Sequence, residues 1–222
     1  MPAKGPLYAH PDNARYFTDG SGRAIYLTGS NLGWELQDDA WDMVHTFDYA
    51  AYLDFLARYN HNLIRLWMVE HTRSDQGPTE AVAHPMPYQR SDICCANDGG
   101  NKFDLDRWNE AYFARLRERV IAAGERGIYV SVMLFQGVSI WDHQGQRHQF
   151  GHPFHGNNNV NGIDGDLNDD GHLYEIHRLA DPRITARQEA YVRRVIDAVN
   201  DLDNVLYEIA NEDRFGTLAW ST

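Results

Sequence analysis

Four short stretches of this chain are almost continuously apolar, and between them the apolar positions recur at helical spacing. Residues 24–31, 62–68, 128–135 and 205–212 read as strands buried on both faces. Residues 47–59 read as a helix, with Tyr49, Leu53 and Leu56 on one side and Ala51, Phe55 and Arg58 on the other. Trp108, Tyr112, Leu116, Val120 and Ala123 mark a second helix, capped by Asp104 or Asp106 and stopped by Gly124 and Gly127. The spacing of Thr185 and Gln188 predicts a capping box for a third helix, whose buried face is Val192, Val195, Ile196, Val199 and Leu202. Ahead of all these, residues 15–17 and 24–28 flank Asp19-Gly-Ser-Gly22 and predict a short hairpin.

The predicted order is β-α-β-α-β-α-β, an α/β fold with a parallel sheet and helices outside it. A β/α barrel and an open doubly wound sheet both fit this order. No Gly-rich phosphate loop follows a strand, which weighs against a nucleotide-binding open sheet. Two long polar excursions, residues 69–102 and 136–181, both follow strands. They therefore lie on the face where a barrel keeps its chemistry.

Composition narrows the function classes. The 222 residues carry a net charge of −12 and no basic block, so nucleic acid and anionic membranes are not expected partners. No apolar run reaches the length of a membrane span. The N-terminal residues lack the apolar stretch of a secretory signal, which predicts a cytoplasmic chain. Cys94 and Cys95 fit neither a disulfide framework nor a metal spacing and read as ordinary thiols in a loop. The six Trp and twelve Tyr can serve as core or as sugar-stacking platforms. Trp34, Trp67 and Trp141 lie at or just past strand tips and are the candidate platforms, with ordinary packing as the competing reading.

Three polar residues interrupt strands that should be apolar: Arg65, Asn211 and Glu212. A charge in a buried strand is costly unless paired, so Arg65 should hold a carboxylate at the barrel mouth. A carboxylate at a strand's C-terminal tip is how a barrel presents an acid or base. Glu208 lies ~13 Å down the same strand at roughly 3.3 Å per residue. It cannot replace Glu212 and is expected low in the barrel with a partner such as an arginine.

These residues carry a resemblance. His61-Asn-Leu-Ile-Arg65-Leu-Trp67 and Tyr207-Glu-Ile-Ala-Asn211-Glu212 resemble glycoside hydrolase clan A, most closely family 5 and its cellulase-like relatives. Tyr16-Phe-Thr-Asp-Gly-Ser-Gly-Arg-Ala-Ile-Tyr-Leu-Thr-Gly29-Ser-Asn31 resembles the opening hairpin and first strand. Gly151-His-Pro-Phe154 and Asn157-Asn-Asn-Val-Asn-Gly-Ile163 resemble a loop after strand three in a bacterial branch. The resemblance implies a partial TIM (β/α)8 barrel over residues 1–222, with strands 1–4 and helices 1–3 preceded by the hairpin. It implies a retaining glycosidase acting on an oligo- or polysaccharide, with no cofactor and no metal. Glu212 matches the general acid/base. Asn211 matches the residue that bonds the sugar 2-hydroxyl, and Arg65 the residue that orients the nucleophile. Asn31, Trp34, Trp67, Trp141, His152 and His155 are the candidate substrate contacts.

The family's nucleophile, a glutamate ending strand seven, has no counterpart in this sequence. The chain is therefore expected to represent the N-terminal half of the catalytic barrel and to be inactive alone. Asp213 stands where the family usually has Pro. Phe135 and Gln136 stand where a histidine is expected near the end of strand three. Two other readings compete. One is a non-catalytic half barrel binding carbohydrate or a partner chain. The other is a metal-dependent hydrolase using the His- and Asp-rich second excursion. His143, His148, His152 and His155 follow no zinc spacing. Asp166-Leu-Asn168-Asp-Asp170-Gly171 has the alternating acidic spacing of a calcium loop, but its twelfth position is His177 rather than Glu.

Overall fold

The computed structural model describes residues 5–212. Two strands open the chain, β1 (Tyr8–His10) and β2 (Asn13–Thr18), paired antiparallel. The hairpin expected around Asp19–Gly22 is reduced to a single Phe17–Ile25 bridge. The central sheet follows. It is built from β3 (Gly29–Ser30), β4 (Leu63–Leu66), β7 (Tyr129–Gln136) and β10 (Val205–Asn211), all parallel and neighbours in chain order. Helices α1 (Tyr49–Arg58), α2 (Glu110–Glu125) and α3 (Pro182–Val199) connect them. Helix α1 packs on α2 and α2 on α3, so all three share one face of the sheet. A doubly wound sheet would reverse strand order and cover both faces. This single-direction winding is that of a β/α barrel segment.

Strand register sorts the side chains. Ile64 pairs with Val130, and Leu66 with Val132. All four are buried in one core with Leu53 and Leu56 of α1, Leu116 and Val120 of α2, and Val195 and Val199 of α3. Burying each such side chain contributes about 1.5–3 kcal/mol. Arg65 pairs with Ser131 and Ser131 with Leu206, which puts all three on the opposite face. Glu208 is one pleat beyond Leu206 and therefore meets Arg65. Strand β3 is shorter than predicted; at Gly29 the Leu63 carbonyl leaves no room for a Cβ.

Two helix starts differ from the sequence reading. Helix α2 is capped by Asn109, whose Oδ1 accepts from Ala111 N at 3.3 Å. Asp104 and Asp106 sit instead in a strand, because Trp108 still pairs with Tyr88. Helix α3 begins three residues before Thr185, with Asp181 as cap and Pro182 in its first turn. Thr185 is inside the helix, its hydroxyl donating to the Asp181 carbonyl at 3.2 Å.

The two excursions are ordered. The first carries the antiparallel pair β5 (Tyr88–Cys94) and β6 (Asn101–Trp108), not the irregular path expected. Cys94 and Cys95 are bonded to each other as a disulfide, not free thiols. Adjacent cysteines at this exposed strand end have only each other within reach. The second excursion carries the small ribbon β8 (Asp142–His143) and β9 (Gln146–Arg147). A second core, including Val69, Met86, Phe103, Ile140, Phe154 and Ile176, ties both excursions together.

Candidate active site

Strand β4 delivers Arg65 and strand β10 delivers Glu208 and Asn211 to the same place. Arg65 Nε donates to Glu208 Oε2 at 2.8 Å, and Nη2 donates to Glu208 Oε1 and to Asn211 Oδ1, the latter at 3.0 Å. The carboxylate held by Arg65 is thus Glu208. The guanidinium also lies over the Trp67 ring, 5.3 Å from its centroid. Asn211 is buried, and its Nδ2 donates to Gln136 Oε1 at 3.1 Å.

Glu212 follows with φ +51°, a left-handed conformation that turns the chain off the strand axis. Its backbone passes so close to Gly137 that no Cβ fits there. The Glu212 side chain is exposed and lines a cleft of about 300 Å³. Trp34, Trp41 and Trp67 provide the aromatic lining of this cleft; His143, Gln146 and His148 provide much of its polar lining. Trp41 bonds the Gly33 carbonyl through Nε1 and lies 6.4 Å from Trp67 and 5.9 Å from His148, centroid to centroid. Behind His148, His71 stacks at 4.7 Å and shares a 2.8 Å hydrogen bond with Ser139. Burial pushes both His71 and His148 below the usual histidine range, favouring neutral rings.

The rim segment bearing Trp34 is held from within. Glu35 is fully buried and accepts from Leu32 N at 2.5 Å and Gly33 N at 2.9 Å. Burial outweighs the backbone donors and raises its carboxyl to about 7. A second glutamate, Glu70, lies just past β4 with 11% of its side chain exposed. It accepts from Gln136 N at 2.6 Å and faces His152 Nε2 and His177 Nε2, each at 3.8 Å. Burial raises its carboxyl, but the two imidazoles together win and hold it at about 2.

The other candidates are dispersed. Asn31 is exposed just past β3. Trp141 is buried, with its ring 5.2 Å from that of the cleft residue His143. His152 is buried, and its Nδ1 accepts from Phe154 N at 3.0 Å. His155 Nδ1 accepts from Asn157 N at 3.2 Å. In the acidic loop, Asp166 accepts from Asp170 N at 3.0 Å and Gly171 N at 2.8 Å. Among the described residues no group of three His, Cys, Asp or Glu side chains could hold a metal ion. Asp213 lies outside the described residues. Trp41, Glu35, Glu70 and Gln136 were not anticipated in these roles. Glu70 carries a weaker form of the signal that singled out Glu212, a carboxylate on the segment that follows a barrel strand.

No family model matches the sequence, and no curated protein matches it. Solved structures do. A candidate glycoside hydrolase from Bacteroides vulgatus ATCC 8482 aligns with a TM-score of 0.54 at 17% identity, over 94% of this chain and 32% of its own. The two chains share a fold over nearly the whole of this one. A family 5 glycoside hydrolase from the same organism gives a TM-score of 0.49 at 12% identity, over 94% of this chain and 33% of its own. The endo-1,4-β-mannanase of Rhizomucor miehei gives 0.49 at 14% identity, over 95% and 48%. The chain thus spans about a third to a half of the length of these structures. Among the described residues no helix is long and apolar enough to cross a membrane.

Proposed function

We propose that this chain carries the acid/base half of a retaining glycoside hydrolase acting on an oligo- or polysaccharide. The observation that supports this most is the position of Glu212. It stands at the tip of β10, beside an Asn211 whose amide is fixed, and lines one cleft with Trp34, Trp41 and Trp67. The apolar face of a pyranose packs on such indoles, and the carboxyl is exposed to whatever occupies the cleft.

In this reading Glu212 protonates the leaving oxygen and then deprotonates the attacking water. Asn211 bonds the sugar 2-hydroxyl. Arg65 keeps Asn211 and Glu208 in register. A retaining reaction needs a second carboxyl group about 5–5.5 Å from the first. The resemblance assigns that group to strand seven of the complete barrel, so hydrolysis belongs to the whole protein. The test is Glu212→Gln in the full-length protein on a natural oligosaccharide. A loss of about 10²–10⁴-fold in turnover is expected, and retained activity would remove the assignment.

One observation favours a second reading, a half barrel that binds a partner chain. Tyr207 and Ile209 on β10 are 43% and 51% exposed, an apolar stripe on an edge strand. A sharp monomer in sedimentation velocity at high concentration would rule out self-pairing.

A further inference from the structure

Gln136 ends β7 with no exposed surface. It stands where the family resemblance leads one to expect a histidine, and its hydrogen bonds run in one direction. Arg65 can only donate, so Asn211 must turn Oδ1 toward it, and does so at 3.0 Å. That turns Asn211 Nδ2 toward Gln136, which must answer with an acceptor. Gln136 Oε1 accepts it at 3.1 Å, and accepts Val138 N at 3.4 Å. Gln136 Nε2 is then left buried without a partner. An unmatched buried donor is costly, and an apolar side chain of the same length would avoid it. The orientation of Asn211 is what this donor accompanies.

The Gln136 backbone is fixed as well. Its N–H donates to Glu70 Oε2 at 2.6 Å, and Glu70 is flanked by His152 and His177. A continuous chain therefore runs Glu208–Arg65–Asn211–Gln136–Glu70.

We propose that Gln136 is a positioning residue that, opposite Arg65, locks the Asn211 amide in one orientation, with Glu70 anchoring Gln136 from behind. Asn211 then has one N–H and one lone pair left, in fixed positions. The consequence for sugar selection rests on the reading of Asn211 as the 2-hydroxyl contact. The lock itself does not.

The test is side-chain amide exchange in the ¹⁵N-labelled chain, with the Asn211 pair identified by its loss in Asn211→Asp. Gln136→Met removes the acceptor at nearly constant shape and should speed Asn211 exchange about tenfold or more. Gln136→Glu keeps an acceptor and should restore the rate to within ~3-fold. The Asn204 amide, which donates to the Val120 and Ile128 carbonyls at 3.0 Å each, is the internal control and should not change. Unchanged Asn211 exchange in a folded Gln136→Met would overturn the proposal. Should that variant not fold, the wild type decides: Asn211 exchanging as fast as the exposed Asn157 would overturn it equally. In the full-length protein, Gln136→Met should weaken binding of 2-hydroxyl oligosaccharides about tenfold and leave 2-deoxy analogues unaffected. Failure of any sugar to bind would remove the glycosidase reading and leave the exchange result standing.

Discussion

Glu35 and Glu70 occupy matching places, each a few residues past the tip of a neighbouring strand of one sheet, and both are largely withdrawn from water. Their charge states are pushed in opposite directions. Glu35 has backbone N–H donors from its own segment, and burial carries its carboxyl up to about 7. Glu70 has a backbone donor and two imidazoles, and is held at about 2. Burial alone does not decide the charge; the hydrogen-bonding groups that face the carboxylate do. The cleft rim around Trp34 is therefore titratable near neutrality, while the anchor behind β7 stays ionised.

The largest expected effect is at Glu70. Glu70→Gln removes the buried carboxylate that accepts from Gln136 N and faces the His152 and His177 rings, and should cost about 3 kcal/mol in urea unfolding at pH 7. A cost under about 1 kcal/mol would mean that the cluster is no anchor. The folded carboxyl lies below its unfolded value of 4.5. Its contribution is thus complete above about 4.5 and is lost as pH falls toward about 2.

Glu35 should behave with the opposite sign. Its folded carboxyl lies above the unfolded 4.5, so ionisation opposes folding. The wild type should lose stability as pH rises from about 4.5 through about 7, by an amount on the order of 3 kcal/mol, and then level off. Glu35→Gln should flatten that window and be more stable than wild type at pH 8. An identical pH profile for the two proteins would break the contrast with Glu70.

A smaller effect is expected at Arg65, whose pair with Glu208 keeps 33% and 25% of the side chains exposed. Arg65→Met should cost about 1 kcal/mol, by thermal or urea unfolding. It should also free Asn211 exchange, because the obligate donor is gone. A larger stability loss with Asn211 still protected would show that the pair is structural and unconnected to the amide.

The sheet was legible in the sequence because its strands are apolar on both faces. The predicted third and fourth strands differ from β7 and β10 by about one residue at their ends. Helix starts were less legible, since several Asp and Asn residues competed as caps and only long-range pairing decides among them. Trp108 looked helical by spacing, but Tyr88 holds it in a strand. The excursions were illegible for a related reason. Their order comes from distant side chains, such as Asn161 accepting from Leu105 N at 2.7 Å and Asn158 donating to the Phe150 and His152 carbonyls. Arg65 and Asn211 stood out as polar residues inside apolar strands, and they do meet; Glu208, expected to hold an arginine, is bonded by Arg65. Trp34 and Trp67 share the cleft with Glu212, whereas Trp141 does not line it, because an indole carries no directional signature in sequence. Gln136 closes a buried strand, and its role appears only once Asn211 is placed beside it.

The role proposed for Glu212 is to give a proton to a leaving sugar oxygen. In the full-length protein, Glu212→Ala should be compared on a natural oligosaccharide and on an aryl glycoside whose leaving group needs no proton. A loss of at least about 10²-fold is expected on the natural substrate, with a far smaller loss in bond cleavage on the activated one. Equal losses on both would contradict it.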